Sequence, residues 1–212
     1  MKRTRIKFCG FTRAEDALAA AALGVDAIGL VLVPASKRAL GLDAAAAIRR
    51  RLPPFVTAVI LLQDAPAAAV QEAIDAVRPD LLQFHGAEPP EFCESFSLPY
   101  LKAVAMQDPG ISLSALARAY AGAAGLLLDG HAAGELGGQG KAFDWSRARA
   151  AGKPLVLAGG LSAGNVGAAI AAARPYAVDV SSGIESAPGI KDSGKMSDFV
   201  DAVRRADREL AD

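Results

Sequence analysis

The sequence predicts an α/β protein in which eight parallel strands and their connecting helices form one closed (β/α)8 barrel. Short apolar segments alternate with alanine-rich amphipathic segments, there are eight strand candidates, and no linker or low-complexity tract interrupts the 212 residues. Strands that alternate with helices pair in parallel through right-handed crossovers. We therefore expect a single domain over residues 1–212. The main rival is an open doubly wound sheet, because strand number does not prove closure.

The predicted strands are rich in leucine and β-branched residues. They are Arg5–Cys9, Ala27–Val33, Val56–Leu62, Leu81–Phe84, Leu101–Ala105, Gly125–Asp129, Leu155–Ala158 and Ala177–Ser181. The predicted helices are Ala14–Leu23, Ala44–Leu52, Ala67–Val77, Pro90–Phe96, Leu113–Tyr120, Asn165–Ala173 and Met196–Arg208. Thr12 with Glu15 has the spacing of a capping box, and Ser114 and Ser197 are further N-cap candidates.

Composition excludes several classes of partner. The 23 basic and 23 acidic residues cancel, so no net charge attracts nucleic acid or an anionic membrane. The N-terminal segment lacks an apolar signal sequence, and no apolar run is long enough to span a membrane. Two cysteines, Cys9 and Cys93, are too few for a disulfide framework. We expect a soluble cytoplasmic protein.

Polar side chains occupy one face of several strands, at the carboxyl ends. Side chains alternate across a strand, so Lys7 and Cys9 share a face that Ile6 and Phe8 do not. A barrel strand turns its apolar face to the helices, and barrel active sites lie at the carboxyl ends of strands. The other polar residues with this placement are Gln83, His85, Asp129, Asp179 and Ser181. The pattern predicts a functional site at that end.

Glycines follow the last three strands. In barrels the loops after strands seven and eight often hold a phosphate through backbone amides, and glycine allows the backbone to approach a ligand closely. A role as simple turn residues is the alternative for any one pair. The glycines are Gly137, Gly138 and Gly140 after the sixth strand, Gly159 and Gly160 after the seventh, and Gly183 after the eighth. A phosphate-bearing ligand is predicted.

A series of motifs resembles the phosphoribosylanthranilate isomerase family, whose members are TIM-barrel enzymes of tryptophan biosynthesis. In chain order they are KFCGFT at Lys7–Thr12, SKR at Ser36–Arg38, QFHG at Gln83–Gly86, LLLDG at Leu126–Gly130, GGQGKAFDW at Gly137–Trp145, LAGGLSAGNV at Leu157–Val166, DVSSGIE at Asp179–Glu185 and PGIKD at Pro188–Asp192. Each motif alone is weak, but their order and spacing across the chain are specific.

The resemblance implies an Amadori rearrangement of N-(5-phosphoribosyl)anthranilate to 1-(2-carboxyphenylamino)-1-deoxyribulose 5-phosphate. By motif, Cys9 matches the general base, Asp129 the general acid, and Arg38 the residue that pairs with the anthranilate carboxylate. The residues that match the phosphate-binding loops are Gly159, Gly160 and the turn Asp179–Gly183, which includes Ser181 and Ser182. Further candidates for lining the substrate site are Lys7, Gln83, His85 and Gly140. Lys37 and Gln139 depart from the family pattern, which has proline and threonine there.

The chemistry requires one acid and one base and neither a metal nor an organic cofactor. At an ordinary pKa of about 3.9, Asp129 would be ionised at neutral pH, so burial must raise the pKa or only a minor fraction is protonated. Lys7 lies two residues before Cys9 on the same face, where its ammonium would stabilise the thiolate. An ion pair between Lys7 and Asp179 is an equally good interpretation.

Other functions stay open from the residues alone. A histidine-pathway isomerase would carry paired aspartates on its first and fifth strands, which this chain lacks, and indole-glycerol-phosphate synthase has further lysine and glutamate groups. A phosphate-binding barrel without activity is the alternative from another class.

His85 and His131 have no metal-ligand spacing, so no zinc is expected. The segment Gly130–Phe143 is either a disordered loop or a lid that closes over the substrate. Monomer and homodimer both fit the sequence.

Overall fold

Eight parallel strands close into a barrel in the computed structural model, which describes residues 3–132, 143–148 and 152–211. The strands are β1 Arg5–Cys9, β2 Ala27–Val31, β3 Thr57–Leu62, β4 Leu81–Phe84, β5 Tyr100–Ala105, β6 Gly125–Asp129, β7 Leu155–Leu157 and β8 Ala177–Val180. Strand β1 pairs in parallel with both β2 and β8. The (β/α)8 barrel is therefore confirmed, and the open sheet is excluded.

Seven α-helices surround the barrel within the described residues. They are α1 Ala14–Ala22, α2 Leu42–Arg51, α3 Ala67–Val77, α4 Pro90–Glu94, α5 Leu113–Ala119, α6 Val166–Ala173 and α7 Ser193–Glu209. Every helix predicted from periodicity is present: α3 has the predicted bounds, and the ends of the other helices differ from the prediction by at most three residues. No helix in these parts of the chain is both long and apolar enough to cross a membrane.

The predictions of helix N-caps were wrong. The three residues that do not act as caps are Thr12, Ser114 and Ser197. The Thr12 hydroxyl instead donates to the carbonyl of Gly189, 2.6 Å away. Ser112 caps α5 by accepting from a backbone N–H, and Asp192 caps α7 in the same way. Several polar residues precede each of these helices, and only the backbone conformation decides which one caps.

Short elements that the sequence did not predict follow β8. Ser182–Ile184 forms a 3-10 helix, and β9 Glu185–Ala187 pairs antiparallel with β10 Ile190–Lys191. A further 3-10 helix covers Trp145–Arg147. The hairpin brings two charged residues, Glu185 and Lys191, back to the carboxyl end of the barrel.

Strand polarity agrees with the prediction from side-chain alternation. Phe8 faces outward and packs against Phe199 of α7, with the ring centroids 5.7 Å apart. Leu127 faces inward and belongs to a small apolar cluster in the barrel interior. Each fully buried large side chain contributes about 1.5–3 kcal/mol to stability. Apolar residues thus fill both the outer layer and the interior, which leaves the inward polar residues near the carboxyl ends.

Candidate active site

A cleft opens at the carboxyl ends of the strands and contains about 680 Å³ of empty space. Predicted site residues that line it are Cys9, Arg38, Gln83, His85, Asp129, Gly159, Gly160, Asp179, Ser181 and Ser182. Lys7 and Gly183 are neighbours of this lining and not part of it. Gly140 and most of the predicted lid lie outside the described residues. Ser36 and Gln63 also line the cleft and were not predicted.

Cys9 and Asp129 lie on opposing walls of the cleft. Cys9 ends β1 and Asp129 ends β6, and in the closed barrel two strands, β7 and β8, separate them on the shorter side. Both side chains are buried, with 5% of each residue exposed. A ligand held between these walls would present opposite faces to a thiol and a carboxyl group.

The surroundings of Cys9 favour the neutral thiol. Burial raises the pKa of the Cys9 thiol, the Lys7 ammonium opposes that effect, and the Asp179 carboxylate adds to it. Lys7 Nζ donates to Asp179 Oδ1 at 2.8 Å in a buried ion pair. Both interpretations of Lys7 are therefore partly right: it pairs with Asp179, and its charge still stabilises a thiolate at Cys9.

Two histidines flank the Asp129 carboxylate. His85 Nε2 lies 3.4 Å and His131 Nδ1 lies 3.3 Å from Asp129 Oδ2, and the two rings are 4.7 Å apart. Burial alone would raise the pKa of Asp129, but the polar imidazole nitrogens beside it hold that pKa below the ordinary value. Of the two alternatives for Asp129, the net rise in pKa is therefore contradicted, and protonation of a minor fraction is the one that fits, because the sequence did not reveal the two neighbours.

His131 is the residue of this group that sequence reasoning did not place in the site. It follows β6 by two residues, and its ring is buried against Asp129 and His85. Its backbone is held from the neighbouring loop, where the Gln107 side chain donates to the carbonyl of Gly130 at 3.0 Å. Continuing the side-chain alternation of β6 beyond its end would place the side chains of residues 129 and 131 on the same side. That alternation was the only feature of the sequence that could have placed His131 in the site.

Arg38 is held in the cleft wall by Glu185. The guanidinium donates from Nε and Nη2 to the two carboxylate oxygens, at 2.8 and 2.7 Å. Lys191 Nζ lies 2.8 Å from Glu185 Oε1 and donates to the carbonyl of Cys9 at 2.6 Å. Glu185 and Lys191 belong to the DVSSGIE and PGIKD motifs. Their contacts with Arg38 and with the Cys9 carbonyl could not be deduced, because those residues are distant in sequence. The network ties Arg38 to the backbone at Cys9.

Glycines shape the loops after β7 and β8. Gly159 and Gly160 have φ of 80° and 65°, a region that side chains with a Cβ rarely adopt. Asn165 fixes this loop, because its side chain donates to the carbonyl of Gly160 and accepts from the backbone of Ser162, both at 2.8 Å. At Gly183 a Cβ would overlap the carbonyl of Leu161. The two loops are adjacent and leave backbone groups accessible to a ligand.

The model of one protein family, described as N-(5'phosphoribosyl)anthranilate (PRA) isomerase, matches residues 6–202. The chain belongs to this family. An N-(5'-phosphoribosyl)anthranilate isomerase of Pseudomonas paraeruginosa is 55% identical over 212 residues, which cover 100% of both chains. One from Pseudomonas putida is 54% identical over 207 residues, 97% of this chain and 100% of the relative.

Solved structures of PRA isomerases have the same barrel. The enzyme from Thermus thermophilus gives a TM-score of 0.86 at 38% identity, covering 95% of this chain and 99% of that one. A PRA isomerase in complex with reduced 1-(o-carboxyphenylamino)-1-deoxyribulose 5-phosphate gives 0.80 at 34% identity, with the same coverage. Monomers generated from the dimeric enzyme of Thermotoga maritima give a TM-score of 0.81 at 33% identity, covering 95% of this chain and 98% of that one. The protein is thus a PRA isomerase, an enzyme of tryptophan biosynthesis.

Proposed function

We propose that the enzyme converts N-(5-phosphoribosyl)anthranilate to 1-(2-carboxyphenylamino)-1-deoxyribulose 5-phosphate with Asp129 as general acid and Cys9 as general base. The observation that carries this proposal is that both groups line one cleft from opposing walls of the barrel. Membership of the family and the motif matches at both positions support it. A small phosphosugar is the expected partner, and the two free, buried cysteines fit a reducing cytoplasm.

Each proton transfer has its own group: Asp129 acts from one wall of the cleft and Cys9 from the opposing wall. Asp129 protonates the furanose ring oxygen, the ring opens, and a Schiff base forms between C1 and the aniline nitrogen. Cys9 then removes the proton from C2 to give an enolamine, which tautomerises to the ketone. Burial raises the pKa of the Cys9 thiol, and the two histidines hold the pKa of Asp129 below its ordinary value, so the reactive combination of thiolate and carboxylic acid is a minor fraction of the enzyme.

The two ends of the substrate would be bound by different parts of the cleft. The glycine loops at Gly159, Gly160 and Gly183, with Ser181 and Ser182, would hold the phosphate through backbone amides and hydroxyls. Arg38 would pair with the anthranilate carboxylate, for which its planar guanidinium is suited. Gln83 and His85 would line the ribose between these ends.

Turnover of Cys9→Ser and Asp129→Asn enzymes tests the assignment. The decay of anthranilate fluorescence measures the reaction, and loss of either proton-transfer group should reduce kcat on the order of a hundredfold or more. Cys93→Ser is the matched control, because Cys93 is a buried residue of α4 and does not line the cleft. Both variants should still bind the reduced product. Full activity in both variants would contradict the assignment.

A further inference from the structure

The cluster of His85, Asp129 and His131 has the composition of a metal site. Each of the three residues offers one ligand atom, and these atoms lie within 4.8 Å of one another. His85 Nε2 and His131 Nδ1 both lie close to Asp129 Oδ2. All three residues are buried, and neither of these imidazole nitrogens has a hydrogen-bond partner among the described residues. Buried polar atoms are rarely left without a partner, so two such nitrogens directed at one carboxylate call for an explanation.

We propose that these three residues bind a divalent transition-metal cation of the zinc type, and that this cation inhibits the isomerase. Ligands 2.0–2.2 Å from a tetrahedral zinc ion lie about 3.3–3.6 Å from each other. The two nitrogens lie 3.4 and 3.3 Å from Asp129 Oδ2, which is within that range. Two imidazoles and one carboxylate are ligands that zinc, cobalt and nickel all accept.

A neighbouring side chain supports His85 as a ligand. The Gln83 amide lies against His85 Nδ1, with Nε2 of Gln83 3.2 Å away, and Oε1 of the same amide has no hydrogen-bond partner. If the amide turns about its last bond, Oε1 accepts from Nδ1–H of His85. That arrangement leaves Nε2 of His85 unprotonated and directed at the cation, as is usual for metal-bound histidines.

The position of the cluster allows a fourth ligand from solvent or substrate. His85 and Asp129 both line the cleft, so the remaining coordination position is accessible. A bound cation would use the carboxylate that we assign as general acid. Inhibition therefore rests on the proposed function, whereas binding of the cation does not.

Binding is tested by calorimetric titration of Zn²⁺ and by visible absorption of Co²⁺, with protein free of any histidine tag. The chain contains only two histidines, and both belong to this cluster. We expect one equivalent bound, a higher Tm with zinc, and His131→Asn to weaken binding on the order of a hundredfold, because loss of a ligand costs at least as much as loss of a supporting residue. Cys9→Ser should bind as wild type does, which excludes a thiolate ligand.

Equal zinc affinity in wild type and His131→Asn would overturn the proposal, and so would loss of binding in Cys9→Ser. Thermal unfolding without metal shows whether each variant is folded, and His85→Asn provides a second ligand variant. Turnover is then measured with and without zinc for each protein, and chelation should restore activity. We expect inhibition in wild type and a ratio near one in His131→Asn. If zinc binds the wild-type enzyme without inhibiting it, the metal site is supported, but inhibition is refuted and the role of Asp129 as general acid is contradicted.

Discussion

Lys7 Nζ lies 2.8 Å from Asp179 Oδ1 in a buried ion pair whose two charges act in opposite directions on the Cys9 thiol. The register of the strands makes this possible, because Lys7 of β1 is paired with Asp179 of β8. The ion pair neutralises both buried charges, and burial then leaves the pKa of Cys9 above its ordinary value. This balance favours the neutral thiol of Cys9 over the thiolate.

The first prediction concerns the pH dependence of Cys9 alkylation by iodoacetamide. Because thiolate forms as pH rises through the raised pKa, the rate midpoint should lie above that of free cysteine, about 8.5. Lys7→Met removes a charge that lowers this pKa and should move the midpoint up, whereas Asp179→Asn should move it down. A Cys93→Ser background removes the other thiol, whose pKa burial raises to about 12. If the rate midpoints of both variants equal that of the parent protein, neither charge affects the pKa of Cys9.

The second prediction concerns Gly29, the partner of Cys9 across β1 and β2. A Cβ at Gly29 would lie 2.6 Å from Cys9 Sγ, too close for both to keep their positions. We expect Gly29→Ala to displace the thiol and lower kcat about tenfold to a hundredfold, with a stability loss of about 1–3 kcal/mol. Gly167→Ala is the control, since its Cβ would meet only Ala206 at 3.8 Å. Steady-state kinetics and urea unfolding measure both effects, and wild-type kinetics in Gly29→Ala would refute the prediction.

The third prediction tests Arg38 as the residue that recognises the anthranilate carboxylate. Lysine keeps the charge but loses the bidentate geometry, so Arg38→Lys should raise KM about tenfold or more. A substrate with aniline in place of anthranilate lacks the carboxylate, and its KM should change little in the same variant. Lys37→Gln, an exposed neighbour, is the matched control. An equal rise in KM for both substrates would assign Arg38 a structural role only.

The fourth prediction concerns stability. Lys102 Nζ lies 2.8 Å from Glu88 Oε2 between the barrel and its helices, and both side chains are buried. Glu88→Gln leaves the ammonium without its charged partner, so unfolding free energy should fall by about 3–5 kcal/mol. Asp201→Asn removes one charge of an exposed pair with Arg204 and should change stability by less than about 1 kcal/mol. Denaturant titration of both variants at neutral pH provides the comparison.

Much of the cleft could be predicted, because a barrel gathers the carboxyl ends of all its strands. Cys9, Gln83 and Asp179 were found from side-chain alternation and strand ends alone. Glu185 and Lys191 were quoted in motifs, but their contacts with Arg38 and Cys9 depend on a hairpin that short local patterns do not reveal. Asp129 was found, yet the direction of its pKa shift was not, because that depends on His85 and His131 from separate loops.

By itself the sequence determined the alternation of strands and helices, the polar face of each strand and the family. These properties follow from local periodicity and from motifs that are read residue by residue. Tertiary structure decided that the sheet closes, which polar residue caps each helix, and which charges meet inside the barrel. Closure and the meeting of charges depend on atoms brought together from distant positions, where burial and distance set the energy of a charged group. Each cap depends on the backbone conformation where its helix begins.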